Sequence, residues 1–168
     1  MTLSMYQASV PVFARMLENL SAILAKGAAH AEAKKIDPAV FINARLAPDM
    51  FALARQVQIA ADAAKGCVAR LAGAEVPSYP DTETTFAELQ ARVAKTLAFI
   101  KGFTAAQIDG SEDRTCVLKI RGEDMKFRGQ DYLFKLAFPN FFFHVTTTYD
   151  ILRHNGVEVG KLDYLGRS

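Results

Sequence analysis

The chain has 168 residues, 51% of them apolar and 23% charged, the balance of an ordinary soluble globular domain with room for a sizeable core. Its net charge is +2, and no Lys/Arg-rich block stands out, which argues against nucleic acid or a membrane surface as partner. No apolar run approaches the roughly 18 residues of a membrane span, and the start, Met-Thr-Leu-Ser-Met-Tyr-Gln, lacks the basic and apolar regions of a secretory leader. A single cytoplasmic domain over residues 1–168 is expected, with Cys67 and Cys116 as buried reduced thiols rather than a disulfide framework.

A first helix is predicted over 3–29. Tyr6, Val10, Phe13, Leu17, Leu20 and Leu24 recur at steps of four and three, the seam of a helix packed at a shallow angle. Pro11 lies near its start as a kink or a delay, and Gly27 begins its end. A short helix follows, with Asp37 as cap and Pro38 in its first turn. Pro48 and Asp49 open the second long helix, which runs to about Leu71 on the seam Met50, Leu53, Val57, Ala60, Ala64, Cys67 and Leu71. After the loop Val76-Pro-Ser-Tyr-Pro80, a third helix spans 83–102, capped by Asp81 or Thr82. Alternating residues predict a β-hairpin at 115–120 and 124–128, which is marginal alone and must pack on the helices. An apolar stretch, 132–138, delivers the chain to a fourth helix. Pro139 suits its first turn and Asn155-Gly156 its end. The tail has Val157, Val159, Leu162, Tyr164 and Leu165 for anchorage. Four seamed helices with an insertion before the last make an all-α four-helix bundle.

Phosphate loops, nucleophile elbows, paired Cys-x-x-Cys and the helical His-Glu-x-x-His and Glu-x-x-His patterns are absent. Of the histidines, His30 and His154 sit at helix ends, while His144 lies among Phe141, Phe142, Phe143 and Val145. His144 and His154, ten residues apart on one helix, are separated by roughly 15 Å and cannot share a metal. Any metal would use His144 with oxygen ligands such as Asp49, Asn140 or Gln56, an unusual set for zinc. His144 is otherwise a hydrogen-bonded core histidine or a general acid or base. Arg45 and Asp49, four apart, can pair across the helix start, or Arg45 can face a pocket as an anion-binding group. Gln56, one residue off the seam, points to the bundle interior. Phe41, Phe51, Phe138, Phe141, Phe142, Phe143 and Tyr149 are mostly core, with some free to line a pocket between helices.

Five motifs then carry a resemblance: Arg45-Leu-Ala-Pro-Asp-Met50, Arg55-Gln-Val-Gln58, Arg70-Leu-Ala-Gly73, Phe141-Phe-Phe-His144 and Leu152-Arg-His-Asn-Gly156. Together they resemble a bacterial family of unknown function similar to the DinB-like (YfiT-like) metalloenzyme superfamily. The resemblance covers nearly the whole chain and implies an up-down-down-up bundle, often a homodimer. Superfamily relatives hold nickel or zinc with three histidines, and some are thiol S-transferases. His144 matches the last ligand position, whereas Asn140 and Gln56 stand at the other two. The resemblance thus implies a degenerate metal site and no assured cofactor. It leaves a small, anionic molecule as ligand near His144, Arg45, Asp49, Gln56 and Asn140. The alternatives are a metal-dependent enzyme on His144 with oxygen ligands, and an interaction protein with no small-molecule site.

Overall fold

The computed structural model describes residues 3–120 and 122–166. Ser4 caps α1 (Met5–Lys34): its hydroxyl accepts from the Gln7 N–H, and the Gln7 side chain accepts from the Ser4 N–H. The helix runs past Gly27 to Lys34, a correction to the predicted end. Gly27 is there for close packing, since a Cβ would meet the Phe86 ring at 3.0 Å and Leu152 at 3.1 Å. Pro11 does not stop the helix either. It stands on the exposed side, where water can serve the carbonyl that its missing N–H leaves free.

Asp37 caps the short α2 (Pro38–Ile42) as expected. Residues 43–52 then close in turns, with the Leu53 N–H on the Ala44 carbonyl at 2.9 Å. The second long helix, α3 (Leu53–Ala72), therefore starts later than Pro48, and Asp49 stays in the exposed loop. The rest of its seam holds: Leu53, Val57, Ala60, Ala64, Cys67 and Leu71 are fully buried. Thr85, not Asp81 or Thr82, caps α4 (Phe86–Lys101), in a reciprocal pair of hydrogen bonds with Glu88.

Contacts set the helix directions. Glu18 meets Lys101 and Ser21 meets Gln90, so α1 and α4 run antiparallel. Gln58 meets Glu83 and Asp62 meets Arg92, so α3 and α4 run parallel. A parallel step needs a crossover as long as a helix. The 20 residues of α3 span about 30 Å, and residues 73–85 between the helices can stretch that far.

After the small α5 (Ala105–Ile108), whose Ile108 is fully buried, the hairpin forms where the alternation placed it. β1 (Thr115–Ile120) pairs antiparallel with β2 (Glu123–Arg128), Cys116 opposite Phe127 and Leu118 opposite Met125. It leans on the bundle through buried Cys116 and through Phe127, whose ring lies 6.2 Å from that of Tyr132. Helix then resumes earlier than expected. α6 (Gly129–Asp131) leads into a π-helical turn, Tyr132–Ala137, and that into α7 (Phe138–His154). Gly129 is required at the start, because a Cβ would meet the Ser111 carbonyl oxygen at 2.0 Å. In the wide turn the Phe138 N–H reaches back to the Leu133 carbonyl. The widening falls just before Pro139, which has no N–H to give and whose ring would crowd an ordinary α-turn.

α7 runs parallel to α1, Phe13 touching the Phe138 and Phe141 rings at 4.9 and 5.0 Å and Gly27 lying beside Leu152. The bundle is thus up-down-down-up, with one core in which Phe13, Phe41 and Phe141 are the largest fully buried side chains. α8 (Lys161–Leu165) crosses α1, where Asn19 donates to the Tyr164 carbonyl at 2.9 Å and Lys26 pairs with Asp163. Val157 and Val159 anchor the tail, but Leu162 and Leu165 are exposed. Among the described residues no helix is long and apolar enough to cross a membrane.

Candidate functional site

Gln56, in the first turn of α3, and His144, in the middle of α7, meet across the seam of these two helices. Both are buried, and His144 Nδ1 lies 2.6 Å from Gln56 Oε1. The amide is oriented by its other end, for Gln56 Nε2 donates to the Phe51 carbonyl at 2.9 Å. Oε1 is therefore the atom that faces the ring, and it can only accept. Nδ1 must carry the proton, and Nε2 of the neutral ring keeps its lone pair. Among the described residues no protein group hydrogen-bonds to Nε2.

The imidazole stays neutral well below pH 7. Burial pushes its pKa down to about 4, and the nearby positive charge of Arg55 works in the same direction. A base that weak is poorly matched to proton abstraction near neutrality. Arg55 itself is engaged with Asp81 and with Gln58 Oε1 at 3.3 Å. Two aromatics that depart from the expected core, Phe51 and Phe143, are 56% and 55% exposed. Phe143 stands edge-on to the His144 ring at 5.2 Å, and the Arg55 guanidinium lies 5.9 Å from the Phe51 ring centre.

The other expected site residues lie elsewhere. Arg45 is exposed and reaches the Pro48 carbonyl at 3.5 Å. Among the described residues it forms no ion pair with Asp49, and neither touches His144 by any hydrogen bond or ion pair. Asn140, exposed one turn before His144, lines a cavity of about 370 Å³ with Asp62, Arg70 and Tyr132. The donors do not suit the metal that the resemblance implies. Among the described residues no three His, Cys, Asp or Glu side chains converge, and both ends of the Gln56 amide are already committed.

Sequence reasoning missed a second polar centre, between α3 and α4. Arg92, 4% exposed, meets Asp62, Asp81 and Glu83, each at 3.0 Å, and donates to the Pro80 carbonyl. Lys65 adds a 2.8 Å pair to Asp62, and the Tyr79 ring lies 3.8 Å from the Lys65 ammonium and 4.1 Å from that of Lys95. The available signal was the density of acidic residues in the crossover, Asp81 and Glu83 facing a helix with a lone arginine on its apolar stripe.

An up-down-down-up bundle with a small hairpin before its last long helix is a DinB-type helical protein. The chain belongs to the family described as Domain of unknown function (DUF1993), whose model matches residues 5–165. It is similar to a DinB family member protein from Shewanella denitrificans, known from a crystal structure, with 46% identity and a TM-score of 0.87. That likeness covers 97% of this chain and 92% of the other. No curated protein matches the chain.

Proposed function

We propose that this protein binds a small molecule at the α3–α7 seam through the neutral imidazole of His144, without a metal. The observation that carries the reading is the Gln56 amide. Tied to the Phe51 carbonyl, it holds Nδ1–H and leaves Nε2 as a fixed, uncharged acceptor. The ligand therefore brings a hydroxyl, amine or amide N–H to that nitrogen, while exposed Phe143, 5.2 Å from the imidazole, offers apolar surface beside it. The low pKa of His144 favours binding over acid–base turnover.

Nitrogen NMR of histidine-labelled protein, treated with a chelator, tests this directly. His144 should show the Nδ1–H tautomer at neutral pH. Hydroxyl- and amide-bearing fragments should shift its Nε2 signal, and these responses should be lost in a folded His144→Phe variant. Stoichiometric nickel or zinc bound through His144 would overturn the reading, as would an Nε2 signal that no fragment moves.

A further inference from the structure

We propose that the cavity beside Asn140 is a receptor for a small monocarboxylic acid with an apolar body, held by Arg70. Arg70 is half-buried and positioned on three sides. Its Nε donates to the Val117 carbonyl at 3.3 Å and its Nη1 to the Tyr132 hydroxyl at 3.1 Å. Its third support is Gly66, one turn earlier on α3, where a Cβ would lie 2.5 Å from Nη1. The glycine leaves the gap in which the guanidinium lies along the helix. Unlike Arg55 and Arg92, Arg70 forms no ion pair among the described residues. Two of its five N–H groups are used, so the remaining donors are free to form the fork that a carboxylate fits. Its uncompensated charge is felt nearby: burial raises the pKa of Tyr132, Cys67 and Cys116, and Arg70 opposes the rise at all three.

The rest of the cavity limits the ligand. Ile59, Leu118 and Leu136 give it apolar walls, which suit hydrocarbon rather than a sugar or a phosphate. One free guanidinium matches one negative charge. Asp62, also at the wall, is already paired with Lys65 and Arg92 and adds little repulsion. The Asn140 side chain has no hydrogen-bond partner among the described residues and can meet a second polar group of the ligand. About 370 Å³ is within the range of small-molecule sites. The π-helical turn shapes this wall, since Tyr132, Leu136 and Ala137 all lie on it. The proposal does not depend on His144, so the two readings fail separately.

Titration of the isotope-labelled protein with hexanoate and phenylacetate, against hexanol, hexylamine and inorganic phosphate, tests it. Both acids should bind saturably, at least about tenfold more tightly than hexanol, and shift the amides of Ala63 and Leu118 and the side-chain amide of Asn140. Arg70→Gln should lose at least about tenfold in affinity. Gly66→Ala should do the same without a lower melting temperature, because alanine favours helix while its methyl displaces the guanidinium. That variant separates a lost receptor from a weakened fold. Equal binding of hexanol, preference for phosphate, shifts confined to another surface, no saturation, or full affinity in Gly66→Ala would each overturn the proposal.

Discussion

On the α7 side of α3, Gln56 and His144 form a neutral pair with one acceptor left open. On the α4 side, Arg92 gathers Asp62, Asp81 and Glu83, and only its Nε lacks a partner. Gln56, His144 and Arg92 are all buried, and both centres join α3 to a neighbouring helix, yet they do different work. The charged centre holds the crossover 73–85 against the bundle, which the parallel α3–α4 step requires. Its carboxylates come from the crossover and from α3, and the arginine that binds them has no charge to spare. The neutral centre holds only the end of the loop before α3, through the Phe51 carbonyl, and retains hydrogen-bonding capacity. Each centre keeps one unpaired atom, but Arg92 Nε is shut away from solvent inside the ion-pair network and so is not offered for binding.

The largest expected effect breaks the charged centre. Arg92→Met keeps much of the side-chain volume but leaves the half-buried Glu83 without its cation, while Asp62 keeps Lys65 and Asp81 keeps Arg55. It should cost about 3 kcal/mol, read from the urea midpoint. A loss below about 1 kcal/mol would show that water already serves these carboxylates and that the crossover is held by other contacts.

The neutral centre should show itself through pH. His144 titrates near 4 in the folded protein, against 6.5 when free of the fold. Between those values the unfolded chain holds a proton that the folded one refuses. Its contribution to stability is therefore complete above about pH 6.5 and is lost as pH falls towards 4, by on the order of 3 kcal/mol. Urea unfolding of wild type and His144→Asn across that range measures it: the variant should show the flatter slope. Parallel slopes would mean that the ring is charged inside the fold. Gln56→Glu sharpens the same point. A carboxylate in place of the amide at 2.6 Å should raise the His144 pKa by about 1–3 units and move the acid-sensitive window upward.

Much of the fold was legible because it rests on periodicity. The seam of α3 and the alternation of the hairpin appear in the structure nearly where apolar spacing put them. Boundaries were less legible, because they depend on partners distant in sequence. Gly27 looks like a stop until Phe86 and Leu152 close on it, and Pro48 looks like a start until Leu53 bonds back to Ala44. The π-turn was hidden for a related reason, since an apolar run before a proline reads as a linker unless helix continues on both sides. At the site, the Gln56–His144 pair was foreshadowed by two polar residues in apolar surroundings. Arg70 was not singled out, although it stands in one of the five motifs. Its significance lies in the absence of an acidic partner, which no local pattern reveals.

The smallest effect tests whether the crossover and the helix after it are one unit. Thr85 caps α4 through bonds confined to one turn, whereas Arg92 grips the same segment from within the bundle. Thr85→Ala should cost about 1 kcal/mol. Because the cap is local and the arginine's contacts are long-range, the loss in an Arg92→Met background should match the loss in wild type to within about 0.5 kcal/mol. A double-mutant cycle read from urea midpoints measures that difference. A larger coupling would place the charged centre and the start of α4 in a single cooperative unit. The contrast with the neutral centre would then extend from hydrogen bonding to folding.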